Sequence, residues 1–517
     1  MSEAAPFAYD TVLYPSYAFA QTHPDRLATI ATLFGMKPRP ASRCRVLELG
    51  CGVGGNLIPM AYQYPDSEFI GIDLAASAIE KGKADVAALG LDNLDLRACD
   101  IMQVDAHFGE FDYIIVHGVY SWVPSFVRAK ILSIFRERLA PNGVAYVSFN
   151  AYPGSHLRDL GRRMMLYHVR SISDPEERVR QGRALLDFVA DASDHGTLYG
   201  KIVRDMAERA QKRPDSGIYH DDLDAGAQAF LFHQVAAAAE VEGLQYLCEG
   251  NFSQSAFGQI ADHVQGLIGR LPEEEVVLRE QYLDLIVGRW FRETLWCHAD
   301  VKLERRLDPQ HVRRFLISVD ARTAMTDPDP RGGDALEFKG KRDHVILAKQ
   351  PLTKAAFIHL GRIWPAATDF PTLLERATSL LAERGDEGRD MTGAAETLAD
   401  TLYRCFCAEL IDLHLEAPHL VTTLSARPQA SAVARHQAEI GAQVTNLRHA
   451  GVPQDDFMRS LLPLVDGTRT IADLAAEVGG LSPAREGETG WSDRGLRPQA
   501  VVTDALRQLA RNALLVA

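Results

Sequence analysis

The stretch Val46-Leu47-Glu48-Leu49-Gly50-Cys51-Gly52-Val53-Gly54-Gly55-Asn56 carries two glycine patterns at once. Gly50, Gly52 and Gly55 form the G-x-G-x-x-G of a dinucleotide-binding turn, in which a pyrophosphate rests on the helix N-terminus. Glu48, Gly50, Gly52 and Gly54 form another, a strand carboxylate followed by alternating glycines. Either pattern needs a strand, a tight loop and a helix, with backbone N–H groups that a ligand can approach closely. Charge separates them. A carboxylate two residues before the first glycine suits a cationic tail better than a pyrophosphate.

Outward from the loop, strand and helix signals alternate, the mark of a parallel sheet with crossover helices. Strands are expected at residues 45–49, 68–73, 94–98, 113–116 and 144–149. Helices are expected after the loop to residue 60, at 75–89 and at 125–139, the last stopped by Ala140-Pro141-Asn142-Gly143. Residues 154–224 are helical and charged, with breaks at Pro175, Gly196 and Pro214. A helix at 227–241 and strands at 244–247 and 292–297 follow, so the helical stretch reads as an insertion before the sheet's last two strands. Residues 321–345 are polar and turn-rich. A weak internal repeat links residues 357–377 and 457–478, each helix, turn, helix, then a third helix and an apolar strand. Two winged-helix-like modules fit this repeat. Neither second helix carries the Arg/Lys and Asn/Gln face that reads base edges, which favours protein contact.

A chain of 517 residues is too long for one ordinary core. Its 46% apolar and 24% charged residues are ordinary for a water-soluble globular protein. No apolar run is long enough to span a bilayer, so no membrane insertion is expected. The start MSEAAPFAYD lacks a basic region and an apolar core, and the seven scattered cysteines form no C-x-x-C pair. Both point to a reducing cytoplasm, and Cys405-Phe406-Cys407 does not make a metal site by itself. A net charge of −14 speaks against wrapping nucleic acid. Arg158, Arg162, Arg163, Arg170, Arg178, Arg180 and Arg183 crowd the insertion. They read either as a solvated helix face or as an attraction site for an acidic partner.

Further features decide the cofactor. Asp73 ends the second strand, where a carboxylate can accept both ribose hydroxyls. Asp100-Ile101 follows the third strand and places a carboxylate near an adenine amino group. Gly109-Glu110-Phe111-Asp112 enters the fourth strand, and Leu139-Ala140-Pro141-Asn142-Gly143-Val144 enters the fifth, with Asn142 replacing a glycine. In this order the features resemble class I S-adenosylmethionine (SAM) methyltransferases. The resemblance implies a Rossmann-like α/β core, SAM as cofactor with S-adenosylhomocysteine (AdoHcy) as product, and no metal. The expected cofactor residues are Glu48, Gly50, Cys51, Gly52, Gly54, Asn56, Asp73, Leu74, Asp100, Ile101, His117 and Gly118.

The flanks narrow the resemblance. Residues 14–24 (YPSYAFAQTHP), 117–124 (HGVYSWVP), 148–154 (SFNAYPG), 219–223, 243–247, 280–284 and 462–469 are similar to bacterial methyltransferases carrying a methyltransferase regulatory domain. The best understood of these are rickettsial protein lysine methyltransferases of outer-membrane proteins. The expected organisation is a SAM-binding core with an N-terminal lid (1–154), a helical insertion (155–225), a regulatory-domain segment completing the sheet (226–300), and winged-helix-like domains at 301–420 and 421–517. The resemblance implies a homodimer through the insertion; a substrate lid on a monomer is the alternative.

Lysine methylation needs a neutral amine. With a reference pKa near 10.4, only about one lysine in 2,500 is neutral at pH 7; an apolar, aromatic-walled pocket lowers that pKa, and no single residue stands out as a required base, since water can take the proton. The segment after strand four lies at the carboxyl edge, where α/β folds hold ligands. His117 is expected to orient SAM or a water there, and Tyr120 and Trp122 to wall the amine channel or simply to pack. Asn150 and Tyr152 end the fifth strand at the same edge. Tyr14, Tyr17 and His23 are expected on the lid. His220 beside Asp221 reads as a base pair or as an ordinary loop histidine. The expected partner is a protein substrate. A small-molecule N- or O-methyltransferase and a SAM-sensing scaffold are the competing readings, and nucleic acid is not expected without an N-P-P-Y-type motif.

Overall fold

The computed structural model describes residues 16–258, 261–340, 344–385, 392–416, 419–478 and 497–516. Its centre is a seven-stranded sheet in the order β3-β2-β1-β4-β5-β7-β6. The strands are β1 (Arg45–Leu49), β2 (Glu68–Asp73), β3 (Leu94–Ala98), β4 (Phe111–Val116), β5 (Leu139–Asn150), β6 (Leu244–Glu249) and β7 (Phe291–His298). β1 to β5 run parallel, and β7 lies antiparallel between β5 and β6. Because β1 pairs with both β2 and β4, the strand order reverses beside the glycine loop, which opens a crevice at the carboxyl edge.

Alternation along each strand feeds two cores. Val46, Phe69, Tyr113, Tyr146 and Leu295 face helices α1 (Pro24–Leu33), α2 (Leu57–Gln63) and α3 (Ala76–Leu89). Leu47, Ile114, Val147 and Trp296 face α4 (Ser125–Arg138) and a later helix bearing Phe232 and Val235. The turn expected at 140–143 is absorbed into β5, which begins at Leu139 opposite Phe111 and shifts register before Tyr113. The helix after the glycine loop starts at Leu57 and ends at Gln63, one short turn beyond the expected stop.

The insertion consists of α5 (Ser155–His168), α6 (Pro175–Ala192) and α7 (Leu198–Lys212), packed on their own core of Met165, Val179, Leu186 and Val203. The arginine-rich face is largely turned inward. Arg158 reaches Asp222 at 3.0 Å, Arg183 reaches Asp215 at 2.5 Å, and Arg178 donates to the Val169 and Ile172 carbonyls. That takes up Arg158, Arg162, Arg178 and Arg183, while Arg163, Arg170 and Arg180 stay exposed. A spacing-based reading could not see the Asp residues folding back onto these arginines.

Helices α8 (Phe232–Val241), α9 (Asp262–Ile268) and α10 (Val276–Val287) precede β7. β7 is anchored by Arg292, fully buried between Glu249 at 2.5 Å, Glu280 at 2.9 Å and Asp284 at 2.8 Å. Residues 301–416 form a small sheet, β11 (Thr368–Asp369), β8 (Leu316–Ser318) and β12 (Asp412–His414), and a hairpin of β9 (Leu336–Lys339) and β10 (Val345–Ala348). Their helices α11 (Pro351–Ile363), α12 (Phe370–Glu383) and α13 (Ala394–Cys407) share one continuous core with the face of the main sheet that α1 to α3 cover. Cys405 and Cys407 sit on α13, both buried. The last module, residues 430–515, has a separate core built on Leu461, Leu474, Leu506 and Leu509.

Candidate active site

Gly50, Gly52 and Gly54 all take positive φ (81°, 56° and 79°), which explains the glycines directly. A Cβ on Gly50 would strike Val119 at 2.4 Å, whereas one on Gly52 would meet nothing nearer than Ser16 Oγ at 3.9 Å. The loop is thus tight on one side and open on the other. Asp73 braces it: Oδ2 accepts from the Gly52 N–H at 2.8 Å and Oδ1 from the Ala75 N–H at 2.9 Å. Cys51 donates its backbone N–H to the Ile72 carbonyl, and its thiol is buried and pushed well above its usual pKa.

Glu48 lies under this loop, 3% exposed. Its Oε1 accepts from Asn56 Nδ2 at 3.0 Å, while Oε2 is buried with no partner among the described residues. Burial pushes its carboxyl pKa up to about 8, and nearby Asp73 adds to the rise. An orphaned carboxylate oxygen beneath an open glycine cradle fits the ammonium of an aminoacyl tail. At the other end of the crevice, Asp100 caps the turn Ile101–Gln103 by accepting from the Met102 N–H. Leu74, 56% exposed, and half-buried Ile101 add apolar surface beside Asp73 and Asp100, the surroundings an adenosine requires.

Asn56 does more than a cofactor contact would ask. Its Oδ1 accepts from the Phe19 N–H at 3.0 Å and faces His449 Nε2 at 2.8 Å, and its amide also meets Thr22 Oγ1 at 3.0 Å. The segment before α1 and the last module therefore both close on the loop's helix. Ser16 Oγ accepts from the Gly55 N–H at 3.0 Å. His23 caps α1 by accepting from the Asp25 N–H, its ring 5.2 Å from that of His449. Tyr17 is 41% exposed. Tyr14 lies outside the described residues.

After β4, His117 Nδ1 meets Tyr146 Oη at 2.9 Å, and the Tyr146 hydroxyl donates to Glu293 Oε1 at 3.1 Å. Phe19 covers the imidazole at a centroid distance of 3.9 Å. Burial lowers the His117 pKa to about 4, so the ring is neutral at neutral pH. Gly118 donates its N–H to Ser148 Oγ and Asn150 to Ser121 Oγ, both at 2.8 Å, which fixes this segment to the end of β5. Tyr120 does not wall a channel. It is 4% exposed and packs between Phe149 and Phe230, because the chain turn after Gly118 points it into the core. Trp122 is half-buried at that turn. Tyr152 stacks on His156 at 4.1 Å and donates to Asp159, so it braces the start of the insertion. His220 is buried on a π-helical turn, and Asp221 is taken by Arg213 and Arg158, so the pair is not a base at this edge.

Sequence reasoning missed Gln21, Tyr146, Asn251 and Glu293. Gln21 donates to Glu293 Oε1 at 2.6 Å and Asn251 donates to Oε2. Alternation carried a usable signal: Glu293 shares a strand face with Phe291, Leu295 and Cys297, a lone carboxylate in an apolar row. Beside it opens a cavity of about 450 Å³ lined by Gln254, Leu283, Gly288, Trp290 and Phe291. Among the described residues no group of three or more His, Cys, Asp or Glu could hold a metal, and no helix is long and apolar enough to cross a membrane.

Residues 40–175 match the model of a methyltransferase domain, 214–298 that of a predicted methyltransferase regulatory domain, and 426–514 that of the PKMT C-terminal winged helix domain. The Rickettsia prowazekii protein RP789, itself uncharacterised, is 31% identical over 98% of this chain and 93% of its own length. A second R. prowazekii protein, RP028, is 36% identical over 46% of this chain and 96% of its own. The structure of PKMT2 from Rickettsia typhi in complex with AdoHcy superposes with a TM-score of 0.88, at 27% identity, covering 98% of this chain and all of that one. The chain belongs to this family of SAM-dependent methyltransferases, with a regulatory domain completing the sheet and a winged helix at the C-terminal side.

Proposed function

We propose that the chain is a protein lysine N-methyltransferase, acting as a cytoplasmic homodimer on lysine side chains of a bacterial protein. The observation that carries this reading is the aromatic-edged cavity where the carboxyl end of β5 meets the start of antiparallel β7, placed one hydrogen-bond chain away from His117. The whole-length likeness to PKMT2 supports it. When bound, SAM supplies an electrophilic methyl group on a sulfonium. The chain's own work is positioning and exclusion of water. Glu48 would hold the tail ammonium, Asp73 the ribose and Asp100 the adenine side. Neutral His117 and the ring of Phe19 close the acceptor side. The seven cysteines are all free, which supports a reducing compartment. Exposed Leu157, Tyr167, Phe188 and Leu198 on the insertion support dimerisation there.

The test uses purified protein, methyl-labelled SAM and a bacterial lysate split into macromolecules and small solutes. Label in the protease-sensitive fraction that hydrolyses to methyl-lysine is expected. Label confined to small solutes refutes the lysine reading and makes the enzyme a metabolite methyltransferase.

A further inference from the structure

The cavity beside β7 has features that a structural void lacks. Its mouth carries Trp290, 58% exposed, with Phe291 next along the wall, their rings 5.6 Å apart. Phe291 in turn meets the His117 ring edge-on at 6.3 Å. On the wall between them stands Glu293, a carboxylate only 6% exposed. An ionised carboxylate has about four acceptor positions. Gln21, Tyr146 and Asn251 fill three, which leaves one. Aromatic faces and one buried carboxylate are the chemistry of a cation pocket, and an alkylammonium is the cation that a lysine methyltransferase must admit.

We propose that this cavity receives the acceptor's alkylammonium side chain and that Glu293 takes its proton. The inference rests on the lysine reading above. The ammonium N–H bond breaks with its proton passing to the Glu293 carboxylate. The freed nitrogen lone pair forms the N–C bond to the methyl carbon, and the C–S bond breaks with its pair staying on sulfur, giving the AdoHcy thioether. The proton leaves Glu293 for water at the cavity mouth. The positive charge lost from sulfur appears on the methylammonium.

The charged surroundings fit a carboxylate that both ionises and reprotonates. From β6, Glu249 accepts the Glu293 backbone N–H at 3.0 Å and repels its ionised side chain. Glu409, following α13, repels it too, but is itself bound by Arg26 of α1 at 2.7 Å. Arg289 at the cavity wall is committed to Asp284 at 2.5 Å, and Arg292 points to the opposite face of β7 among its three carboxylates. From β5 only the neutral Tyr146 hydroxyl faces Glu293, backed by neutral His117. Burial, helped by Glu249 and Glu409 and opposed by the Gln21 and Tyr146 hydrogen bonds, holds the Glu293 pKa above the usual carboxylate range, nearer to that of the proton donor it must relieve.

The experiment measures methyl-lysine formed on denatured bacterial lysate protein from pH 6 to 10, for wild type, Glu293→Gln and Trp290→Ala. With SAM saturating at every pH, wild type is expected to be flat from neutral pH upward, because it takes the ammonium form. E293Q is expected to lose about 10²- to 10³-fold at pH 7.5, to rise about tenfold per pH unit, and to approach wild type near pH 10, where lysine is neutral unaided. AdoHcy affinity should be unchanged in W290A. W290A, altered at an exposed side chain, should raise the acceptor KM at least tenfold with kcat less affected, and so keeps the test alive if E293Q does not fold. An E293Q profile parallel to wild type, or an unchanged KM in W290A, overturns the proposal while leaving lysine methylation standing. Wild type that forms no methyl-lysine at any pH overturns both, and the two failures are thereby told apart.

Discussion

If Glu48 holds the cofactor tail, as proposed, AdoHcy binding should be a proton-release reaction below pH 8. In the free enzyme its burial lifts the pKa to about 8, so at pH 6 about 99% of the molecules carry it protonated. The tail ammonium needs the carboxylate. Ionising Glu48 at pH 6 costs about 2.7 kcal/mol, from two pKa units at about 1.36 kcal/mol each. AdoHcy affinity should therefore rise roughly tenfold per pH unit between 6 and 8, about 100-fold in all, and then level before the ligand's own amine deprotonates. AdoHcy is the better probe, because it keeps the tail and lacks the sulfonium. Titration calorimetry at pH 6.5 in two buffers of different ionisation enthalpy should show close to one proton released per ligand. Glu48→Gln should bind about 10- to 100-fold more weakly at pH 8, the usual worth of a hydrogen bond to a charged group, with no pH slope. The same group makes the free enzyme less stable as pH rises. A carboxyl whose folded pKa exceeds its unfolded value holds an extra proton between about 4.5 and 8, so stability falls across that window. AdoHcy should restore the loss. Affinity that is flat from pH 6 to 8, with no proton released, would refute the assignment of Glu48 to the cofactor tail.

Other consequences follow from groups nearby. His23 and His117 are both held to about 4 by burial, below the unfolded value near 6.5. Stability is full above pH 6.5 and drains as pH falls toward 4, by about 2 kcal/mol per histidine at pH 5, which thermal melts between pH 5 and 7 will show. His449 holds Asn56 across the module boundary and sits at φ 55°, a conformation that alanine tolerates poorly and asparagine better. His449→Ala should cost about 1–3 kcal/mol and weaken AdoHcy binding, with His449→Asn milder on both melting and calorimetry. Arg292→Leu should cost about 3–5 kcal/mol or prevent folding, because it strands three buried carboxylates; soluble yield and denaturant midpoint are the readouts.

The sheet and the cofactor crevice were legible because their determinants are local. Glycines at positive φ, a carboxylate two residues before them and an acid at the end of β2 all lie within one β-α-β unit. The acceptor side was not legible in the same way. Tyr120 and Tyr152 are aromatic residues at the active edge, and only the turn after Gly118 and the contact with Asp159 decide that one packs inward and the other braces a helix. Glu293 is 147 residues from Tyr146 and 272 from Gln21. No spacing rule joins them. The inward-turned arginines of the insertion have the same origin: Arg158 meets Asp222 across 64 residues, and a helical-face count sees only the arginines.

The segment before α1 ties the glycine loop to the carboxylate proposed for the acceptor side. Within a few residues, Ser16 takes the Gly55 N–H, Phe19 gives its N–H to Asn56 and its ring to His117, and Gln21 binds Glu293. One short segment therefore bridges the glycine loop on β1 and the carboxylate on β7, with β4 and β5 between them. Lifting it breaks contacts at both ends together, since a segment this short cannot swing from one anchor while keeping the other. His449 locks the same Asn56 from the opposite side, and its placement depends on the whole C-terminal module docking. A protein acceptor that shifts that module would loosen Asn56, and through it the segment before α1, before any contact with the reacting amine is made. Coupling of this kind needs no long-range pathway, because the two sites share one hydrogen-bonded residue and one strip of chain.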